Sequence, residues 1–248
     1  MLHQLKPLTP APLPTLAGLK VYADGASLGE IKRIYGEGLA TGFTTNPSLM
    51  ARAGVPDYEA FARELLSEIT TLPLSFEVIS DDLEEMRRQA LKIASWGRNV
   101  YVKLPITNTK GESCLPLARD LSAEGVQLNV TALLTLEQVA GAVEALHPDT
   151  PSIISVFAGR IADTGVDPVP VMRAAVAMAS IKPNIEILWA SVREVLNLYQ
   201  AQQCGCHIIT ATTDVLKKVS LGGKDLTELS LETVAMFYQD ATAAGYKL

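Results

Sequence analysis

The chain of 248 residues is 48% hydrophobic and 19% charged, a balance that excludes disordered, collagenous and coiled-coil chains. At this length roughly 70–75% of the unfolded surface is expected to become buried, so no disulfide or metal staple is required. With 21 lysines and arginines against 27 aspartates and glutamates, the formal net charge is −6 and no basic run appears. That argues against a nucleic-acid partner and leaves any small anionic ligand to a few placed arginines.

The first 18 residues are punctuated by Pro7, Pro10, Pro12 and Pro14 and carry no apolar run of signal-peptide length. They read as an arm, residues 1–18, ahead of one domain over residues 19–248. No stretch approaches the roughly 20 apolar residues of a membrane span, so no membrane partner is expected. Cys114, Cys204 and Cys206 are odd in number and lack CxxC spacing. They read as reduced thiols of a cytoplasmic protein that holds no metal.

From residue 19 onward, short apolar runs alternate with stretches of helical periodicity. The predicted strands are Leu19–Asp24, Ala40–Thr45, Leu74–Ser80, Asn99–Ile106, Gln127–Leu133, Ser152–Ala158, Ile185–Ser191 and His207–Thr212. Helical patterns between them include Asp57–Ile69, Leu83–Ala94, Thr135–Leu146 and Val169–Ser180. The strands are mostly continuous apolar runs, the mark of strands buried on both faces. Eight strand–helix units in about 250 residues point to an α/β fold closed into a (β/α)8 barrel, a TIM barrel. An open doubly wound sheet is the rival, and it lacks a GxGxxG after the first strand. A last helical stretch, Leu231–Ala244, exceeds the needs of a barrel and is expected to pack across one face or onto a neighbouring subunit.

Barrel enzymes place their reacting groups at the C-terminal ends of the strands. The polar residues there are Asp24, Asn46, Glu77, Lys103, Asn129 with Thr131, Ser155 with Arg160, and Ser191 with Arg193. Asn129 and Thr131 are two apart and share one face of their strand. Lys103 lies in Asn99-Val-Tyr-Val-Lys-Leu-Pro-Ile106. Burying an ammonium without a partner favours the free amine, which attacks ketones to form Schiff bases. The plainer alternative is a lysine reaching solvent. Asp24 and Glu77 suit acid and base work, or one of them simply pairs with Lys103. Arg160 and Arg193 can clamp a phosphate through planar, bidentate hydrogen bonds, or pair with surface acids. His3, His147 and His207 stand apart and receive no role.

Taken in order, Asp24, Thr44-Thr45-Asn46-Pro47-Ser48-Leu49, Phe76-Glu77-Val78, Val102-Lys103-Leu104-Pro105, Asn129-Val130-Thr131-Ala132, Phe157-Ala158-Gly159-Arg160-Ile161 and Ala190-Ser191-Val192-Arg193 resemble the successive motifs of the transaldolases. The resemblance runs from about Tyr22 to about Thr212, one motif per strand, and is similar in length to the shorter members of that family. It implies a class I aldolase-type barrel that moves a dihydroxyacetone unit between sugar phosphates without metal or cofactor, and a homo-oligomer working in the pentose phosphate pathway. By that resemblance Lys103 would form the iminium, Asp24 would take the C4 hydroxyl proton and Glu77 would act through a water oriented by Thr131. Asn46, Asn129 and Ser155 would hold donor hydroxyls, with Phe157 and Ser191 also in the pocket. Arg160 and Arg193 would grip the phosphate. The chain departs from the usual family pattern at Gly25, Phe43 and Ala158, and Gly25 and Phe43 are expected to border the donor pocket. Three other readings compete: a fructose 6-phosphate aldolase releasing free dihydroxyacetone, a transaldolase for sulfonated sugars, and a sugar-phosphate-binding barrel without catalysis.

Overall fold

The computed structural model describes residues 16–247, so the predicted arm up to Thr15 lies outside the described residues. In chain order the elements are β1 Lys20–Asp24, α1 Leu28–Gly36, β2 Gly42–Thr44, α2 Pro47–Arg52, α3 Tyr58–Glu68, β3 Leu74–Glu77, α4 Leu83–Ala94, β4 Val100–Pro105, α5 Leu115–Ala123 and β5 Leu128–Leu133. They continue with α6 Leu136–Ala145, β6 Ser152–Val156, α7 Ala158–Asp163, α8 Pro168–Ala179, β7 Ile185–Trp189, α9 Leu196–Gln203, β8 Ile208–Thr212, α10 Thr213–Lys218 and α11 Leu226–Ala243. The eight strands form one closed parallel barrel in sequence order, β8 pairing back onto β1. The chain is therefore a (β/α)8 barrel. No helix among the described residues is long and apolar enough to cross a membrane.

Helix starts follow local chemistry. Ser27, Asn46, Asp57, Asp82, Thr135 and Asp167 each offer a side-chain oxygen to a free backbone N–H of the first turn. Thr135 and Gln138 complete a reciprocal capping box at α6. Three strands, β1, β5 and β8, end where expected, and the other five stop short. The run expected through Ala158 stops at Val156, and Ala158 already begins α7. The apolar run gave no sign of that turn, because strand and short buried helix look alike by hydrophobicity.

The barrel interior is layered by the two-residue alternation of strands. Tyr22, Ile153, Leu188 and Ile208 form a buried apolar cluster. Two residues further along three of these strands stand Asp24, Ser155 and Thr210, and on β4 Lys103 follows Tyr101 in the same way. The interior thus changes from hydrocarbon to polar groups within one layer. Gly42 on β2 belongs to the apolar level: a Cβ there would lie 2.5 Å from the Tyr22 ring.

By compactness the chain divides into a barrel unit, Leu16–Leu216, and a second unit that contains the chain from Lys217 onward. In the second unit α11 starts five residues earlier than expected, because Asp225 caps it by accepting from the backbone N–H groups of Thr227 and Glu228. None of its residues is buried, and Leu231, Val234, Phe237 and Tyr238 are exposed.

Candidate active site

All eleven residues singled out from the sequence line one cavity of about 570 Å³: Asp24, Asn46, Glu77, Lys103, Asn129, Thr131, Ser155, Phe157, Arg160, Ser191 and Arg193. Register explains the convergence. Glu77 pairs with Lys103 across β3 and β4, and Lys103 pairs with Asn129 across β4 and β5. In a parallel barrel, residues level with one another and of one parity point to the same interior layer.

Lys103 is buried but has partners. Its Nζ lies 3.0 Å from Glu77 Oε2 and donates to the Thr45 carbonyl at 2.8 Å. An ammonium alone in hydrocarbon, the basis of the sequence expectation, is thus replaced by an ion pair within the cavity. The backbone that carries Glu77 is pinned by Tyr58. The phenol oxygen accepts from the Glu77 N–H at 2.6 Å and donates to the Glu77 carbonyl at 2.9 Å. Burial holds that phenol protonated far above the ordinary tyrosine range.

Asp24 accepts from the Thr44 hydroxyl at 2.9 Å. Burial raises its pKa above the ordinary carboxylate value, opposed by the Lys103 charge and by hydrogen bonds from Thr44 and Asn46. Asn129 is partly committed: its Oδ1 accepts from Ser155 at 2.7 Å and its Nδ2 donates to Ser75 at 3.2 Å. One amide hydrogen is left for a ligand. Thr131 sits at an irregularity of β5, where the register against β6 shifts between Val130 and Leu133 and Ala132 takes a φ of 65°. Its buried hydroxyl has no hydrogen-bond partner among the described residues. An orphaned polar atom in a cavity wall is a seat for a water or a ligand oxygen.

The two arginines stand at the more exposed end of the cavity. Arg160 lies over the Phe157 ring, 5.6 Å from its centroid, a cation–π distance. Arg193 makes a bidentate pair with Asp163 through Nε and Nη2, and the Asn197 side chain accepts from its backbone N–H at 2.9 Å. The pair holds Asp163 below the ordinary carboxylate range. Gly159 joins the two segments: a Cβ there would fall 1.6 Å from the Ser191 carbonyl oxygen, and Ser191 itself has a φ of 64°. Only glycine allows the start of α7, which carries Arg160, to approach the segment before Arg193 this closely.

Sequence reasoning gave no role to five further polar residues of the cavity, Thr44, Ser48, Arg52, Thr210 and Thr212. Thr210 and Thr212 carried a readable signal, since polar residues two apart in an apolar strand share a face. Conversely, neither Gly25 nor Phe43 lines the cavity. Phe43 is fully buried and alternates away from its inward neighbours Gly42 and Thr44, so the expectation that it borders the pocket is corrected.

Comparison with known proteins agrees with this geometry. Residues 21–248 match the model of the Transaldolase/Fructose-6-phosphate aldolase family. A protein named probable transaldolase 2 from Listeria monocytogenes is 35% identical over 215 residues, 86% of this chain and 93% of that one. A probable transaldolase from Thermoanaerobacter sp. is 33% identical over 231 residues, 93% of this chain and all of that one. Among solved structures, a deoxyribose phosphate aldolase from Aeropyrum pernix superposes with a TM-score of 0.55 over 83% of this chain and 91% of that one. At 11% identity it speaks for the barrel fold alone. With its barrel, its strand-end residues and its relatives in agreement, the chain belongs to the transaldolase/fructose-6-phosphate aldolase family.

Proposed function

We propose that the protein is a transaldolase that carries a dihydroxyacetone unit from sedoheptulose 7-phosphate or fructose 6-phosphate to glyceraldehyde 3-phosphate or erythrose 4-phosphate. The observation that carries this reading is the buried Lys103–Glu77 pair in one cavity with Asp24. Proton transfer from the ammonium to the carboxylate within that 3.0 Å contact yields the free amine and a carboxylic acid. The amine adds to the C2 carbonyl of the ketose. The acid then returns its proton, through a water seated at Thr131, to the departing carbinolamine hydroxyl. The iminium nitrogen accepts the electron pair of the C3–C4 bond as it breaks, while Asp24 takes the C4 hydroxyl proton and the aldehyde leaves. The enamine that remains attacks an incoming aldehyde by the same steps in reverse.

Asn46, Asn129 and Ser155 hold donor hydroxyls, and Arg160, Arg193 and Ser191 receive the phosphate. The chemistry needs no metal or cofactor. A cytoplasmic, homo-oligomeric protein of the pentose phosphate pathway is the setting that fits this activity. A second reading, fructose 6-phosphate aldolase, ends the same sequence by protonating the enamine and releasing dihydroxyacetone. Phe157 favours transfer, because a phenyl ring beside the enamine has no proton to give. A sulfonated sugar would meet the same arginines.

The test is fructose 6-phosphate with borohydride, followed by mass spectrometry of the peptides. A three-carbon adduct on Lys103, absent in Lys103→Arg because a guanidinium stays protonated, is the expected result. An adduct on another lysine, or none, overturns the reading.

A further inference from the structure

Asp24 is held from the barrel wall by the Thr44 hydroxyl, which is backed in turn by that of Thr210, and neither takes part in the reaction described above. Thr44 Oγ1 donates to Asp24 Oδ1 at 2.9 Å and lies 2.6 Å from Thr210 Oγ1. The three residues come from β2, β1 and β8, with β1 in the middle, and both threonines are buried. A separation of 2.6 Å between hydroxyl oxygens is a short, well-formed hydrogen bond.

The direction of donation follows from valence. An ionised carboxylate only accepts, and a hydroxyl owns one proton. Thr44 spends its proton on Asp24, so the proton between the threonines belongs to Thr210. The chain of donors runs from Thr210 to Thr44 to Asp24. Without Thr210, the Thr44 hydroxyl loses the donor that polarises it and the contact that keeps it from rotating away.

We propose that Thr210, acting through Thr44, is a positioning residue that fixes Asp24 Oδ1 as an acceptor in the wall and so aims the other carboxylate oxygen at the substrate proton. This rests on the reading of Asp24 as the base. The pair also favours the ionised carboxylate that a base requires, against the cost of burial. The charged groups that face Asp24 are Lys103 on β4, which supports ionisation, and Glu77 on β3, which opposes it, with the Asn46 side chain adding a hydrogen bond. None of these depends on Thr210.

The experiment is the pH profile of kcat/KM for fructose 6-phosphate with erythrose 4-phosphate as acceptor, in wild type, Thr210→Val, Thr210→Ser and Thr44→Val. Valine keeps the shape of threonine and removes the hydroxyl. In Thr210→Val the acid limb is expected to move to higher pH by about half a unit, and in Thr44→Val by about one unit, the size of one hydrogen bond. In Thr210→Val kcat falls severalfold with KM within about twofold, and Thr210→Ser restores the wild-type limb. Borohydride trapping with dihydroxyacetone runs beside it, because imine formation on Lys103 breaks no carbon–carbon bond and needs no Asp24. Adducts at the wild-type level show that the variants are folded; should valine prevent folding, Thr210→Ala gives the same comparison. An acid limb in Thr210→Val that coincides with the wild-type one, with normal adducts, overturns this proposal alone. Absence of the adduct in the wild type overturns the transaldolase reading instead.

Discussion

Asp24 shows how one residue exchanges stability for chemistry. Burial raises its pKa in the folded protein. Between the ordinary carboxylate range and that raised value, the folded state holds more protons than the unfolded one, so stability falls as pH rises through the window. Above it, the ionised carboxylate is a standing cost. Asp24→Asn is therefore expected to raise Tm at neutral pH by about 2–4 °C, the shift that 1 kcal/mol gives a domain of this size. The gain vanishes below the ordinary carboxylate range, where wild-type Asp24 is also neutral. Transfer activity falls by roughly 10²–10⁴-fold as the base is lost. Thermal melts at two pH values together with a transfer assay check both halves. Phe157, under the Arg160 guanidinium, governs a different balance. Phe157→Tyr places a hydroxyl near the enamine and is expected to raise dihydroxyacetone release relative to transfer. Release from fructose 6-phosphate alone is the measurement, and an unchanged ratio refutes the assignment.

At the scale of elements, α2 is built into the site by its own cap. Asn46 Oδ1 accepts from the Leu49 N–H at 2.9 Å, which leaves the amide nitrogen to face the cavity. Capping and binding therefore use opposite ends of one side chain. Asn46→Asp keeps the capping oxygen but loses the amide that faces both Asp24 and the ketose, so KM for the ketose rises and the Asp24 pKa is pushed further up. Asn46→Ala loses both and should cost about 1 kcal/mol of stability as well. An unchanged Tm in Asn46→Ala would show that the cap does not matter. The extent of α4 was legible beforehand, for it runs from Leu83 to Ala94 as the sequence predicts, and the structure adds that Asp82 caps it. The short α7 was not, because its first residue, Ala158, reads as the end of an apolar strand.

For the whole molecule, the exposed apolar side chains of α11 bear on assembly. Phe237 and Tyr238 are 62% and 73% exposed, and Leu231, Val234 and Tyr238 recur at helical spacing. Contiguous apolar surface on a helix marks an interaction site. A homo-oligomer in which α11 contributes to the contact predicts that Phe237→Glu lowers the mass measured by light scattering. The same change should make Tm independent of protein concentration. A wild-type monomer at micromolar concentration would refute it.

Periodicity and residue identity were enough to read a (β/α)8 barrel and the set of groups at its strand ends. Strands buried on both faces must be continuously apolar, so each polar interruption stands out. What the sequence could not supply was partnership. That Lys103 is paired with Glu77, that Asn129 is shared between Ser155 and Ser75, and that Thr210 reaches Thr44 across β1 depend on distances between residues far apart in the chain. Those distances exist only once the strand registers are set, β3 against β4 for Glu77 and Lys103, β5 against β6 for Asn129 and Ser155, and the closing pair β8 and β1 for Thr210. Residue type announces the chemistry available, while hydrogen-bond partnership, which decides what each group can still do, is a property of the closed barrel.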